Sequence, residues 1–263
     1  MQGTEFALTP EQWTVAGEPL TVLRGGRGRR VLVIHDEWGV NANEEIWRLL
    51  GERVEIIAPV APGFEDTEFS SRIKTVRDLA LLYNALLVGF EDEPVTVIGI
   101  SFGAWVAIEM AVMNQSQIAG LVLLGPLGLR FGAPEQRNFG DLFALSEAQL
   151  VETLYLNPEI ARMVTGETPR DQVITWARNR EASAFYGWEP YFHTPGLQNW
   201  TEHVAIPVTI VHGGEDRFVM EGYYKRYAES FPKSARVEIE RSGHFPHLDD
   251  PSQTFEALKP LLP

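Results

Sequence analysis

Ser101 lies in the run Val95 to Gly103, V-T-V-I-G-I-S-F-G, between two glycines, with an apolar stretch before it and a helical one after it. Strand, Gly-x-Ser-x-Gly and helix in that order make a nucleophile elbow. Glycines at 99 and 103 let the backbone take a strained strand-to-helix turn without a side chain striking neighbouring elements, so the hydroxyl is held out into a site. A serine hydroxyl is a poor nucleophile until a base removes its proton, and the base needs a third group to orient it. Two later loops carry residues of those types. The apolar run Val208 to Val211 leads into H-G-G-E-D-R-F-V, which contains Asp216 with Glu215 beside it, and Val237 to Ile239 leads into S-G-H-F-P-H, which contains His244. Both loops follow strand-like runs, where catalytic groups collect in open parallel sheets. Spacing alone says only that these residues can converge.

Four segments taken together, I-H-D-E-W-G after an early strand, G-I-S-F-G, G-G-E-D-R-F-V and S-G-H-F-P-H-L, resemble the α/β hydrolases of the small, capped, single-domain type, from about Leu20 to the end of the chain. The resemblance implies a cofactor-free hydrolase with Ser101 as nucleophile, His244 as general base and Asp216 as the residue that orients it. It also implies an oxyanion hole from the backbone amides of Phe102 and Glu37. Glu215 is the alternative acid, but the family motif places the acid directly before Arg217-Phe218-Val219. The chain departs from the family in one loop: many members carry HGxxG where His35-Asp36-Glu37-Trp38-Gly39 stands here. Asp tolerates left-handed backbone geometry, so the loop can keep its shape, with a charge beside a site meant to stabilise an anion.

Other polar residues read more plainly. His244 and His247 with Asp249 and Asp250 have a metal-like spacing, but they fall in a loop and no HExxH helix is present, so no metal is expected. His35 reads as a structural loop residue, and His193 and His203 as ordinary residues in or beside an insertion.

The elements that must position these groups follow from hydropathy. Apolar runs at Leu20 to Leu23, Val31 to Ile34, Val54 to Ile57, Val95 to Ile100, Leu121 to Leu124, Val208 to Val211 and Val237 to Ile239 read as strands. Several are continuously apolar, as in strands covered on both faces. Helices are expected at Glu44 to Leu50, Ile73 to Val88, Phe102 to Asn114, Tyr223 to Ser230 and Ser252 to Leu258, the last opened by Asp250-Pro251. Thr9 to Gln12, T-P-E-Q, has the cap and proline of a short leading helix or turn. Between Leu124 and Val208 the strand signal vanishes, and capping residues at Ser146, Asn157 and Thr168 suggest several helices. The expected architecture is an α/β-hydrolase fold: a mostly parallel sheet flanked by helices, with residues 1–130 and 202–263 as core and a helical cap insertion over 131–201. Aromatic density in the cap suggests an apolar or aromatic small-molecule substrate, with Trp38, Trp188 and Tyr191 as candidate contacts.

The 263 residues carry 22 Lys plus Arg against 36 Asp plus Glu, a formal charge of -14 that repels phosphate backbones and anionic headgroups. Nucleic acid and membrane partners are therefore not expected. With no cysteine, thiolate chemistry and disulfides are excluded. No run nears the roughly 18 consecutive apolar residues of a membrane span, and no signal segment is visible, so a cytoplasmic location is expected. The leading reading is ester or thioester hydrolysis. The same triad could also cleave a carbon–carbon bond of a diketone-like substrate, and the fold could serve a ligand-binding protein. Homo-oligomerisation is left open.

Overall fold

The computed structural model describes residues 6–40, 44–90, 93–133, 136–157, 160 and 170–263. One sheet of eight strands organises them: β1 Thr9–Val15, β2 Glu18–Gly26, β3 Arg30–Ile34, β4 Glu55–Pro59, β5 Val95–Ile100, β6 Ile118–Leu124, β7 Val208–Gly213 and β8 Ser234–Ile239. Their spatial order is β1-β2-β4-β3-β5-β6-β7-β8. The pairs β1·β2 and β2·β4 are antiparallel, and every pairing from β4 through β8 is parallel. Strands β5 and β7 are buried at all six positions, which is why they read as unbroken apolar runs.

The helices are α1 Glu44–Gly51, α2 Val76–Val88, α3 Phe102–Met113, α4 Glu147–Leu154, α5 Arg170–Gly187, α6 Tyr223–Glu229, α7 Pro246–Asp249 and α8 Pro251–Leu258. Helix α2 starts later than its apolar pattern, at a capping box in which Thr75 and Asp78 satisfy each other's amides. Ser146 caps α4 in the same way, and Asp250 caps α8 with Pro251 at its first position. The candidate cap at Thr168 lies outside the described residues. Between β6 and β7 the described residues form α4, α5 and short 3₁₀ turns, with no strand.

The leading segment corrects an expectation. Thr9 to Gln12 is not a helix or turn but the start of β1, paired with β2 from Thr9↔Arg24 to Val15↔Glu18. Pro10 lacks the N–H of a central strand, yet an edge strand tolerates it. Sheet pairing and burial of Val15 outweigh the local cap signal.

Candidate functional site

Strand β5 ends at Ile100 and the chain turns through Ser101, at φ 47° and ψ −104°, straight into α3. A positive φ at a non-glycine residue costs on the order of 1–3 kcal/mol and survives only where the surroundings dictate it. They do so here. A Cβ on Gly99 would come within 2.7 Å of Ala104 Cα, and one on Gly103 within 2.2 Å of the Ile34 carbonyl oxygen. Only glycine at both places lets β5, α3 and the end of β3 meet this closely.

The Ser101 Oγ lies 2.9 Å from His244 Nε2, and His244 Nδ1 lies 2.9 Å from Asp216 Oδ2. The structure thus gathers one residue from each loop after β5, β7 and β8. Glu215, the alternative acid, is exposed. Tyr224 donates to Asp216 Oδ2 at 2.5 Å, and the Phe218 amide donates to Oδ1 at 2.8 Å, so the carboxylate is fixed on both oxygens. Burial pushes the Asp216 carboxyl up, but the facing His244 ring and these hydrogen bonds outweigh it and hold the group below its ordinary value. For His244 burial pulls the pKa down, and Asp216, then Glu37 and Asp36, more than reverse the pull. The ring therefore holds its proton above the ordinary histidine value.

The His244 loop is anchored through Asp249, which accepts from the amides of Gly243 at 2.7 Å, Leu156 at 3.0 Å and Asn157 at 2.9 Å. His247 faces Asp36, with Nε2 3.5 Å from Oδ2, and Asp250 is occupied by its capping bond to Gln253. The members of the metal-like spacing thus point to separate partners. His35 accepts from the Ala61 amide on Nε2 and turns Nδ1 to the Asp36 carbonyl, while burial lowers its pKa. Its ring braces the loops after β3 and β4.

The loop after β3 departs from expectation in two respects. Asp36 is not among the residues with positive φ, so it needs none of the left-handed freedom invoked for it. Its Oδ1 instead accepts from the Trp38 amide at 2.8 Å, closing the turn with a side chain where the family has glycine. Glu37, expected to offer only its amide, also brings its carboxyl to the nucleophile: Ser101 Oγ donates to Glu37 Oε1 at 2.7 Å. The other oxygen, Oε2, is buried with no partner. Burial and then the Asp36 charge push this carboxyl up to about 7, against opposing pulls from His244 and Ser101. Ser183 of α5 fixes the Glu37 peptide by donating to its carbonyl at 2.9 Å. Phe102, the other expected oxyanion donor, is the first residue of α3, where N–H groups have no acceptor within the helix.

Neither Glu37's carboxyl nor Tyr224 was singled out by sequence. Two consecutive acids at the mouth of an apolar strand, Asp36-Glu37, were the available signal for the first. Nothing distinguishes Tyr224 from Tyr223 and Tyr227 on the same short helix.

Aromatic rings close the site. Phe218 and Phe245 each lie 4.8 Å from the His244 ring, and Tyr155 stacks on Phe245. Trp38 stacks on Trp176 of α5 at 6.0 Å. Tyr191 packs on Phe139, which packs on Phe218, and its hydroxyl bridges Gly140 and Leu142. Trp188 sits on the outside, 61% exposed, against Phe143. Ser101, Glu37 and His244 are all buried. A separate cleft of about 380 Å³ lies against β1, β2 and the end of α2, but its two cations, Arg24 and Arg30, already pair with Glu55.

Among the described residues no helix is long and apolar enough to cross a membrane. An esterase of Mycobacterium tuberculosis is 26% identical over 281 residues, covering 96% of this chain and 89% of that protein. The fold is shared with a crystal structure of a membrane phospholipase A described as a bacterial virulence factor, at TM-score 0.77 and 18% identity over 97% of this chain and 85% of that one. It is also shared with a meta-cleavage product hydrolase, at TM-score 0.73 and 20% identity over 94% and 96%. The family model described as "Alpha/beta hydrolase family" matches residues 28–258. With the sheet order and the elbow, that match settles the membership: the chain belongs to the alpha/beta hydrolase family and is a hydrolase.

Proposed function

We propose that the protein hydrolyses esters or thioesters of apolar or aromatic small molecules through an acyl-enzyme on Ser101. The observation that carries this reading is the unbroken relay Ser101–His244–Asp216, with both links at 2.9 Å, on a serine held in a strained backbone conformation. As Ser101 Oγ bonds to the substrate carbonyl carbon, its proton passes to His244 Nε2, and Asp216 holds the imidazolium through Nδ1–H. The amides of Phe102 and Glu37 would receive the oxyanion. His244 then gives the proton to the leaving oxygen or sulfur, and water repeats the cycle on the acyl group. Rings at Phe218, Phe245 and Tyr155 around His244 favour an apolar acyl or aryl group. In this reading the described residues of the 131–201 insertion form a cover over the site, and Tyr191 from it, together with Trp38 from the loop after β3, shapes the approach.

Labelling with a fluorophosphonate, followed by a graded series of nitrophenyl esters, tests the proposal. Wild type should label and turn over, with medium-chain or aryl esters ahead of acetate in kcat/KM. Ser101→Ala should abolish labelling and reduce turnover by roughly a thousandfold or more. Retention of more than half the rate in that variant would exclude Ser101 as nucleophile. Turnover confined to a vinylogous diketone would assign the same triad to carbon–carbon cleavage, and tight ligand binding without turnover would make the protein a binder.

A further inference from the structure

We infer that Glu37 is a catalytic acid of this site, working in its neutral form as a hydrogen-bond donor to the oxyanion alongside the backbone amides. The inference rests on Ser101 being the nucleophile, and it concerns a side chain for which the family pattern of that loop supplies only an amide.

Geometry makes the case. Ser101 Oγ has one proton and two flanking groups, His244 Nε2 at 2.9 Å and Glu37 Oε1 at 2.7 Å. A proton given to Glu37 is not given to His244. Attack requires the Oγ proton to go to Nε2, so in the productive arrangement the short contact with Glu37 must be one in which the carboxyl donates or withdraws. An ionised Glu37 would do neither. It would hold the hydroxyl proton and repel the negative charge that develops on the substrate carbonyl oxygen. That oxygen is bonded to the same carbon as Oγ, so a carboxyl in hydrogen-bond contact with Oγ is within reach of it. Water has almost no access, since Glu37 is 2% exposed, and Oε2 is left with no protein partner. A charge in that position would be poorly solvated, whereas an acid proton on either oxygen is not penalised in this way.

The surrounding charges act in the same direction with one exception, His244. Asp36 stands next to Glu37, Tyr155 follows α4, Tyr191 follows α5, and Asp216 lies behind His244; of these, each can carry only negative charge or none. Among the charges only His244 favours the ionised form, joined by the hydrogen bonds from Ser101 and the Glu37 backbone, and His247 faces Asp36 rather than Glu37. The net result is a carboxyl pushed up to about 7. Glu37 and His244 therefore share a proton, and only the form with acid on Glu37 and neutral His244 is productive. During acylation the Ser101 O–H bond breaks, its proton goes to His244 Nε2, the new Oγ–C bond forms, and the carbonyl π pair moves onto oxygen. Glu37 keeps its proton throughout and lends it as a hydrogen bond. Collapse returns the electron pair, expels the leaving group and sends the His244 proton to it.

The experiment is kcat/KM for a nitrophenyl butyrate between pH 5 and 9 in wild type, Glu37→Gln and Glu37→Ala, each checked for folding by circular dichroism. Wild type should give a bell whose alkaline limb falls as Glu37 ionises. Glutamine keeps a donor that cannot ionise, so its alkaline limb should disappear and its rate at pH 6 should stay within about tenfold of wild type. Alanine should also lose the limb, at a rate lower by about 10²–10³-fold, the cost of one oxyanion donor. An unchanged alkaline limb in the glutamine variant, or glutamine falling as low as alanine, would overturn the inference. Ser101→Ala separates the readings: activity surviving there overturns the nucleophile and Glu37 together, while activity lost there with an unchanged limb in Glu37→Gln overturns Glu37 alone.

Discussion

Asp36 and Glu37 are neighbours in sequence with opposite relations to their surroundings. Asp36 is held by the Trp38 amide and faces His247, while the Glu37 carboxyl accepts from the Ser101 hydroxyl. Asp36 also raises the pKa of both Glu37 and His244. Asp36→Asn keeps an oxygen for the Trp38 amide and removes the charge, so both limbs of the pH–rate profile should move to lower pH. Limbs that stay in place would show that its charge is compensated elsewhere. Glu37 has a stability consequence as well. Its folded pKa lies near 7 against an ordinary 4.5, so the folded state binds the extra proton between those values. Stability from this group is full below pH 4.5 and is lost as pH rises through 7, a swing of about 3 kcal/mol. Glu37→Gln does not titrate. Its stability advantage over wild type in denaturant unfolding should therefore widen from pH 5 to pH 8, and a constant difference would mean the buried carboxyl is stabilised as an anion.

At the scale of elements, the order strand, elbow, helix was legible because β5 is buried at every position and α3 from Phe102 to Ala111, so their residues are apolar apart from Thr96 and Glu109. The loops bearing Asp216 and His244 were legible because each follows a segment read as a strand, β7 and β8, two and three places from β5 on the parallel side of the sheet. Strand β1 was misread because its signal lies in pairing with β2, which a short window containing T-P-E-Q cannot register. The Glu37 carboxyl was hidden for a related reason. Residue type was visible, but which way the side chain turns depends on α5 closing over the loop and on α3 approaching β3. That approach can be tested at Gly103, where a Cβ would meet the carbonyl oxygens of Ile34 at 2.2 Å and His35 at 2.5 Å. Backbone cannot yield as a flexible side chain would, so Gly103→Ala should destabilise by about 3 kcal/mol or more, the upper range for overpacking. Thermal unfolding and loss of fluorophosphonate labelling should change together. Labelling at the wild-type rate in a destabilised variant would show that the elbow tolerates displacement of α3.

Over the whole molecule, the loops after the sheet strands carry Ser101, Asp216 and His244, and under the proposed function α5 is the element that would govern access to them. Helix α5 is fastened to the loops after β3 and β4 by side chains: Asn179 accepts from the Glu65 amide at 2.6 Å and donates to the Trp38 carbonyl at 2.6 Å, Ser183 donates to the Glu37 carbonyl, and Tyr186 donates to the Pro62 carbonyl at 2.9 Å. These four bonds join α5 to the segments that carry Asp36, Glu37 and Trp38, with Ser101 beneath them. Ser101 is 0% exposed, so part of its cover must move before a substrate can reach it, and under the proposed function α5 is the element expected to move. Asn179 is the best point of attack, since it is buried and bridges both loops. Asn179→Ala removes partners from two backbone groups, which costs about 1–3 kcal/mol in a buried setting. It should lower the unfolding temperature while raising the rate of labelling by a long-chain phosphonate more than by a small one, because the loosened cover matters most to the bulkier probe. If stability falls and the ratio of the two labelling rates does not change, substrates reach Ser101 by a route that does not pass under α5.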